Sequence, residues 1–134
     1  MIHVVIVAAG SGTRFGGDVP KQFQNLNGRP VVMLTIEAFR RAVPDADIKL
    51  VLSESMAGYW AEMTEQYDFA SPEVVYGGAT RFDSVKNAIT EIERAGIAEG
   101  DLILIHDGAR PLVSNRVIAN VIDGATSCGA AVPV

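Results

Sequence analysis

The sequence has little cysteine, no long apolar run and no excess of positive charge, and each shortage argues against a class of protein. The single cysteine, Cys128, excludes an internal disulfide and suits a reducing compartment. Because no basic residue adjoins it in sequence, we expect a buried or helix-end thiol rather than a nucleophile. No apolar run is long enough for a membrane span, and the N-terminus lacks a basic signal region. We therefore expect a cytoplasmic protein with no membrane partner.

The chain also lacks the positive charge of a nucleic-acid-binding protein. Its 134 residues carry a net charge of −5, which disfavours nucleic acid as a partner. Apolar residues make up 49% and charged residues 20%, which indicates a folded globular chain, and the length fits a single domain over 1–134. An anionic ligand would therefore need a local cluster of cations.

Such a cluster follows the first apolar run. The residues from Val4 to Val7 are all apolar and β-branched, which predicts a strand buried on both faces, as in a parallel sheet. The next segment combines small residues, glycines and two cations: Ala8, Ala9, Gly10, Gly12, Arg14, Gly16, Gly17 and Lys21. Glycines let the backbone wrap a ligand and present its N–H groups, while Arg14 and Lys21 supply positive charge. The simplest ligand is a phosphate chain.

Four interpretations of this loop compete. A dinucleotide fingerprint needs a third glycine where Phe15 stands, and it needs an acidic residue at the end of the next strand. A P-loop needs Gly-Lys-Ser/Thr, which the loop does not contain. A plain glycine-rich turn explains neither Arg14 nor the pair Pro20-Lys21. The order A-A-G-x-G-x-R-F-G followed by P-K-Q instead favours a nucleotidyltransferase loop.

The rest of the chain alternates helices and strands. Apolar periodicity predicts helices over 31–42, 57–67, 80–94 and 114–127, and strands over 48–55, 72–78, 101–111 and 130–134. Thr80 and Ser114 are the expected N-caps of two of these helices. The alternation predicts a doubly wound α/β fold of Rossmann-like type, with a mostly parallel sheet and helices on both faces. Since ligands bind at the carboxyl ends of such strands, the segments that begin at Ala8, Gly77 and His106 should share one edge.

Three ordered motifs carry a resemblance to a known family. They are AAGSGTRFGGDVPKQF at 8–23, GGATRFDSVKNAI at 77–89 and HDGARPLV at 106–113. Together they resemble the 2-C-methyl-D-erythritol 4-phosphate cytidylyltransferases, which are sugar-phosphate nucleotidyltransferases of non-mevalonate isoprenoid synthesis. The resemblance implies transfer of CMP from CTP to 2-C-methyl-D-erythritol 4-phosphate with release of pyrophosphate. It departs from the family at Gly108, where alanine is commoner, and at Ala79, where an acidic residue is frequent.

The resemblance also implies roles for individual residues. Arg14 and Lys21 would contact the phosphates and stabilise the transition state. The nucleotide would be bound by Ala8, Ala9, Gly10, Ser11, Gly12, Thr13, Gly77, Gly78, Ala79, Arg81, Ser84 and Gly108. Within this set the first loop would cradle the phosphates and the second motif would contact the base. By position alone, Ser84 is an exposed residue in the first turn of a helix, so cytosine selectivity follows from the resemblance only.

Asp107 is the candidate metal ligand. It ends an apolar strand beside His106, and Mg²⁺ in nucleotide sites takes one or two protein carboxylates together with phosphate oxygens. The family match gives Asp107 this role, while the competing interpretation is a strand-end aspartate that caps the following turn. A neutral imidazole is a poor ligand for Mg²⁺, so we expect His106 to be structural.

The sequence stops on the apolar segment AAVPV at 130–134, and we expect it to be a truncated chain. In the family, the residues that bind the second substrate and the arm that forms a homodimer lie further downstream. Three other functions stay open: a ribitol 5-phosphate cytidylyltransferase, a nucleotide-binding fragment without catalysis, and a dinucleotide-dependent reductase. The sequence Ala8-Ala9-Gly10 favours the isoprenoid enzyme over the ribitol enzyme, whose first motif usually reads A-G-G.

Overall fold

A computed structural model describes residues 1–10 and 21–129, apart from the side chain of Lys21. In chain order its strands are β1 (Ile2–Ala8), β2 (Asn25–Leu26), β3 (Arg29–Pro30), β4 (Asp47–Leu52), β5 (Glu73–Tyr76) and β6 (Leu102–Asp107). Its α-helices are α1 (Val31–Ala42), α2 (Ala57–Gln66), α3 (Arg81–Ala95) and α4 (Asn115–Cys128). Within the described residues, short 3-10 helices also cover Lys21–Phe23 and Glu54–Met56.

Four strands form a parallel sheet in the order β5-β4-β1-β6. The chain runs outward from β1 to β4 and β5, and then α3 carries it back to the other side of β1. The strand order therefore reverses between β1 and β6, where Val7 is paired with Asp107. In open α/β sheets, ligands bind in the crevice at the carboxyl end of such a reversal. This topology places the candidate site between the ends of β1 and β6.

Helices cover both faces of the sheet because the side chains of β1 alternate. Val4, Ile6 and Ala8 point to the face covered by α1, α2 and α4, which contribute Ile36, Trp60 and Ile118 among others. Val5 and Val7 point to the opposite face and pack against α3 through Ala88 and Ile92. All five of these β1 side chains are buried, so the prediction of a doubly wound, mostly parallel fold is confirmed.

The predicted elements agree closely with the described ones. The helix over 31–42 has the predicted bounds, the helix over 57–67 ends one residue earlier, and the other two helices each begin and end one residue later. Both predicted caps are present: the Thr80 hydroxyl accepts the Asp83 N–H at 3.1 Å, and the Ser114 hydroxyl accepts the Val117 N–H at 3.1 Å. The predicted strand over 130–134 lies outside the described residues. Among the helices in the described part of the chain, none has the length and apolar character needed to span a bilayer.

One feature of the fold is not predicted by the sequence. Asn27 and Gly28, both at positive φ, join β2 and β3 as a short antiparallel hairpin before α1. Cys128 is exposed at the last residue of α4, which agrees with the helix-end alternative of the prediction. The second strand of this hairpin ends at Pro30, which is buried in the core directly before α1.

Candidate functional site

The end of β1 lies between the two later motifs. A Cβ atom added to Gly77 would lie 2.6 Å from the Cβ of Ala9, and one added to Gly108 would lie 3.0 Å from the Cβ of Ala8. Contacts this close require glycine on one side and a small residue on the other. The described parts of all three motifs therefore meet at the carboxyl edge of the sheet, as the sequence predicts.

The second motif forms a tight turn from β5 into α3. The N–H of Gly77 donates to the carbonyl of Leu52 at 2.7 Å, which extends the pairing of β5 with β4. The N–H of Gly78 donates to the hydroxyl of Ser84 at 3.1 Å, and a Cβ at Gly78 would lie 2.4 Å from the Cβ of Asp83. Both glycines are therefore required by close packing against neighbouring residues, without any need for a ligand.

Ser84 is placed differently from its sequence expectation. We expected an exposed first-turn residue, but Ser84 is only 2% exposed, so that expectation is wrong. The turn at Gly77 and Gly78 folds back over the start of α3 and covers it, and the Ser84 hydroxyl accepts a hydrogen bond from that turn. Ala79 and Arg81 lie on the outer side of the same turn and are exposed. The surface that a nucleotide can reach here is formed by the turn itself.

The third motif is fixed to β1 and α1. The N–H of Gly108 donates to the carbonyl of Val7 at 2.8 Å, and the carbonyl of Gly108 accepts from the hydroxyl of Thr35 at 2.9 Å. Both the N–H and the C=O of buried Gly108 thus have hydrogen-bond partners, as buried backbone groups require. The turn that follows Asp107 is therefore held rigidly against the end of β1.

Asp107 stands at this edge with its carboxylate partly exposed. One oxygen, Oδ1, accepts the N–H of Ala109 at 2.9 Å, as expected for a residue that caps the turn. The other, Oδ2, lies 3.8 Å from Nε of Arg110, which is beyond hydrogen-bond distance. Within the described residues there is no cluster of three or more histidine, cysteine or acidic side chains that could hold a metal alone. Oδ2 is in a long ion pair with Arg110, and a carboxylate oxygen so placed fits Mg²⁺ whose other ligands are phosphate and water oxygens.

His106 makes the contacts of a structural residue. Its ring packs edge-on against Phe39 with centroids 5.0 Å apart, and its Nε2 is 2.8 Å from the carbonyl of Arg110. Both contacts brace the turn that carries Asp107. This placement agrees with the structural role predicted for His106.

The first motif is described only at its two ends. Gly10 is exposed at the edge, and an added Cβ would meet no atom of the described residues within 4 Å. The predicted phosphate-binding residues Ser11, Gly12, Thr13 and Arg14 lie outside the described residues. Lys21 begins a 3-10 helix, and nothing is described of its side chain. Sequence reasoning missed Gln22, whose side-chain amide donates to the carbonyls of Ala8 at 2.8 Å and Gly10 at 2.9 Å.

An ionic cluster holds the opposite, amino edge of the sheet. The ring nitrogens of buried His3 each lie 3.3 Å from a carboxylate oxygen, one of Asp47 and one of Asp101. Burial opposes ionisation of Asp47, but hydrogen bonds from Lys49 and His3 outweigh it and lower the pKa of Asp47. The backbone N–H of Ala98, together with His3 and the terminal ammonium, lowers the pKa of Asp101 to about 2. This cluster stabilises the fold far from the candidate site.

A parallel Rossmann-like sheet, with glycine turns converging where its strand order reverses, is the arrangement typical of nucleotide-binding α/β domains. The family model described as 2-C-methyl-D-erythritol 4-phosphate cytidylyltransferase matches residues 2–134. The chain belongs to this family, which confirms the resemblance carried by the three motifs. This family assignment does not support the alternative of a dinucleotide-dependent reductase.

Similar proteins agree with the assignment. A curated 2-C-methyl-D-erythritol 4-phosphate cytidylyltransferase from Phocaeicola vulgatus is 45% identical over 133 residues, which is 98% of this chain and 58% of the relative. One of the same name from Azobacteroides pseudotrichonymphae is 42% identical, over 98% of this chain and 57% of the relative. The chain thus spans somewhat more than half the length of these relatives.

Solved structures show the same fold. The 4-diphosphocytidyl-2C-methyl-D-erythritol synthase of Anaerococcus prevotii matches with a TM-score of 0.66 and 28% identity, over 93% of this chain and 50% of that one. The bifunctional IspDF of Campylobacter jejuni matches with a TM-score of 0.72 and 27% identity, over 92% of this chain and 30% of that one. In both cases this chain corresponds to only part of the larger molecule.

Proposed function

We propose that these residues form the CTP-binding part of an enzyme that transfers CMP from CTP to 2-C-methyl-D-erythritol 4-phosphate and releases pyrophosphate. The observation that carries the proposal is the convergence of three motif segments on the end of β1, through the close contacts of Ala8 with Gly108 and Ala9 with Gly77. Family membership and the names of the relatives support the same reaction. The second substrate rests on these names.

The chemistry requires charge and position more than it requires a base. The attacking group is a phosphate oxygen that is already ionised near neutral pH, so no residue has to remove a proton. Attack on the α-phosphorus of CTP in line with the leaving pyrophosphate then depends on holding two anions together. Arg14 and Lys21 are the proposed cations for this task, because charge develops on the phosphate oxygens in the transition state.

The base would bind at the turn between β5 and α3. Gly78 and Ala79 are exposed there, and backbone N–H and C=O groups can donate to and accept from a pyrimidine edge. Ser84 supports this surface by holding the N–H of Gly78. Because that contact already uses the Ser84 hydroxyl as an acceptor, we propose that Ser84 contributes to base binding chiefly by holding the turn in place. Arg81, exposed beside it, is the nearest described cation on this helix.

Asp107 is the proposed ligand of Mg²⁺. When bound, the metal would neutralise charge on the triphosphate, and the carboxylate oxygen not engaged by Ala109 would hold it. Asp107→Asn keeps the acceptor for the Ala109 N–H and removes the negative charge. We therefore expect this variant to keep its fold and to lose the Mg²⁺ dependence of CTP binding, measured by calorimetry with and without Mg²⁺. An unchanged Mg²⁺ dependence would contradict the assignment.

The complete protein is proposed to act as a cytoplasmic homodimer. The proposal rests on the family resemblance, which implies a dimerisation arm. The chain spans 58% and 57% of the two relatives, so such an arm would belong to the part that it does not cover. Sedimentation of a protein of the relatives' full length that contains residues 1–134 would test it, with a monomer as the contradicting result.

The function is tested by nucleotide selectivity and then by turnover. Titration with CTP, UTP and ATP in the presence of Mg²⁺ should give binding for CTP only. A protein of the relatives' full length that contains these residues should then release pyrophosphate with 2-C-methyl-D-erythritol 4-phosphate and not with ribitol 5-phosphate. Equal binding of the three nucleotides would contradict the base site, and turnover with ribitol 5-phosphate alone would contradict the second substrate.

A further inference from the structure

We infer that Gln22 is a positioning residue that fixes the phosphate-binding segment to the end of β1. The inference rests on the proposed function, since it concerns how that segment is held for a nucleotide. The side-chain amide nitrogen of Gln22 donates two hydrogen bonds, to the carbonyl of Ala8 at 2.8 Å and to the carbonyl of Gly10 at 2.9 Å. Gln22 is 6% exposed, so both bonds form away from bulk water.

A primary amide is well suited to this position. Its nitrogen carries two N–H groups and can therefore serve two carbonyl acceptors at once, without a formal charge. A carboxylate of the same shape would place negative oxygen against two carbonyl oxygens, and an apolar side chain would leave both carbonyls without this donor. The pairing of one amide with two backbone carbonyls thus accounts for a glutamine at a buried site.

The contact joins the two points where the first motif meets the described fold. We call the two hydrogen bonds from Gln22 the clamp. Ala8 ends β1 and Gly10 lies two residues later, so the acceptors of the clamp lie where the motif leaves the sheet. Gln22 lies in the 3-10 helix Lys21–Phe23, where the motif returns. The motif therefore leaves and returns at positions tied directly to each other through one side chain.

The same 3-10 helix is anchored from its other side. Phe23 is 2% exposed, and its ring packs edge-on against Tyr59 with centroids 5.4 Å apart. The carbonyl of Gln24 accepts the N–H of Val31 at 2.9 Å, which ties the next residue to the start of α1. Lys21 directly precedes these anchored residues. The backbone at Lys21 therefore adjoins anchored residues, and a defined backbone position is a requirement for placing a cation at a phosphate.

The inference predicts a specific division of effects. Loss of the clamp should weaken CTP binding and lower kcat, because both depend on where the phosphate-binding segment lies. The KM for the second substrate should change little, since Gln22 has no proposed role in binding that substrate. A merely structural residue would instead lower the melting temperature while each folded molecule kept its full affinity and turnover.

The test compares Gln22→Met with Gln66→Met in a protein of the relatives' full length that contains residues 1–134. Methionine matches glutamine in length and removes the amide, and Gln66 is an exposed glutamine at the end of α2, which makes it a matched control. At a temperature where both are folded, Gln22→Met should bind CTP·Mg²⁺ about tenfold or more weakly than wild type. Gln66→Met should match wild type, and CTP affinity retained by Gln22→Met would overturn the inference.

A second variant keeps the test decisive if Gln22→Met does not fold. Gln22→Asn retains a neutral amide but is one methylene shorter, so it cannot reach both carbonyls in the same geometry. A folded Gln22→Asn should also bind CTP more weakly than wild type, and wild-type affinity would overturn the double contact as a requirement. Failure of the proposed function is distinguishable, because in that case the wild-type protein itself would bind no CTP.

Discussion

The hydroxyl of Thr35 donates a hydrogen bond of 2.9 Å to the carbonyl of Gly108, a residue 73 positions further along the chain. Thr35 lies in the middle of α1 and is fully buried, so this bond joins the helix after β1 to the turn after β6. The same hydroxyl lies 3.2 Å from the carbonyl of Val31, within the helix. A residue that helix propensity alone would not favour is thus used to hold the turn that carries Asp107.

We expect Thr35→Val to destabilise the protein by about 1–3 kcal/mol, because the buried carbonyl of Gly108 loses its donor while side-chain volume is kept. Urea unfolding measures the difference. Thr90→Val is the matched control, since the Thr90 hydroxyl also bonds to a carbonyl of its own helix, but at an exposed position on α3. Equal effects at the two sites would mean that the contact with Gly108 contributes nothing specific.

The sequence predicted the regular elements because their signals are local. The Thr80 cap of α3 and the apolar run of β1 each depend on a few adjacent residues, and both are present as expected. The hairpin at Asn27-Gly28 also had a local signal, since Asn-Gly favours two positive φ angles, but strands of two residues are too short for periodicity to reveal.

Parts of the site were not predictable because they depend on contacts between distant segments. Ser84 is buried only because the glycine turn before α3 folds back over it, and helix position alone gives the opposite expectation. Gln22 sits in a glycine-rich stretch where polar residues are usually solvated, and its acceptors on Ala8 and Gly10 are brought to it by the fold. Resemblance supplied the candidate residues, and the structure adds the contacts of those that it describes.

Replacement of Gly77 tests the close approach of β1 and β5. A Cβ there would lie 2.6 Å from both the Cβ of Ala9 and the hydroxyl oxygen of Ser84, and the alanine Cβ belongs to a short side chain that cannot rotate away. We expect Gly77→Ala to destabilise the fold by about 1–3 kcal/mol, as for overpacking. Thermal unfolding followed by circular dichroism measures it.

Gly58 provides the control for this substitution. It lies within α2, and an added Cβ would meet no atom within 4 Å. Gly58→Ala should therefore stabilise the protein by up to about 1 kcal/mol, since alanine is the better helix former. Opposite signs at the two positions are expected. A Gly77→Ala protein as stable as wild type would contradict the tight contact at the site.

Removal of the Lys21 charge tests the catalytic proposal. We expect Lys21→Ala, in a protein of the relatives' full length that contains residues 1–134, to lower kcat/KM by about 100- to 1,000-fold, which corresponds to about 3–4 kcal/mol of lost transition-state stabilisation. Steady-state release of pyrophosphate is the measurement. Lys86→Ala, at an exposed position on α3, removes a lysine elsewhere and should retain near-normal turnover. Near-normal turnover by Lys21→Ala as well would remove Lys21 from the mechanism.

The ionic cluster at the amino edge of the sheet makes stability depend on acidity. Folding lowers the pKa of Asp101 from 3.8 to about 2, so its carboxylate stabilises the native state above the unfolded pKa, and this contribution is lost as the pH falls through 3.8 toward 2. Asp101→Asn cannot titrate at this position. The difference in unfolding free energy between wild type and Asp101→Asn should therefore be largest near pH 5–6 and shrink steadily toward pH 2. Urea unfolding of both proteins at several pH values measures it. A difference that stays constant over this range would show that the hydrogen bonds from Ala98 and His3 do not favour the ionised carboxylate.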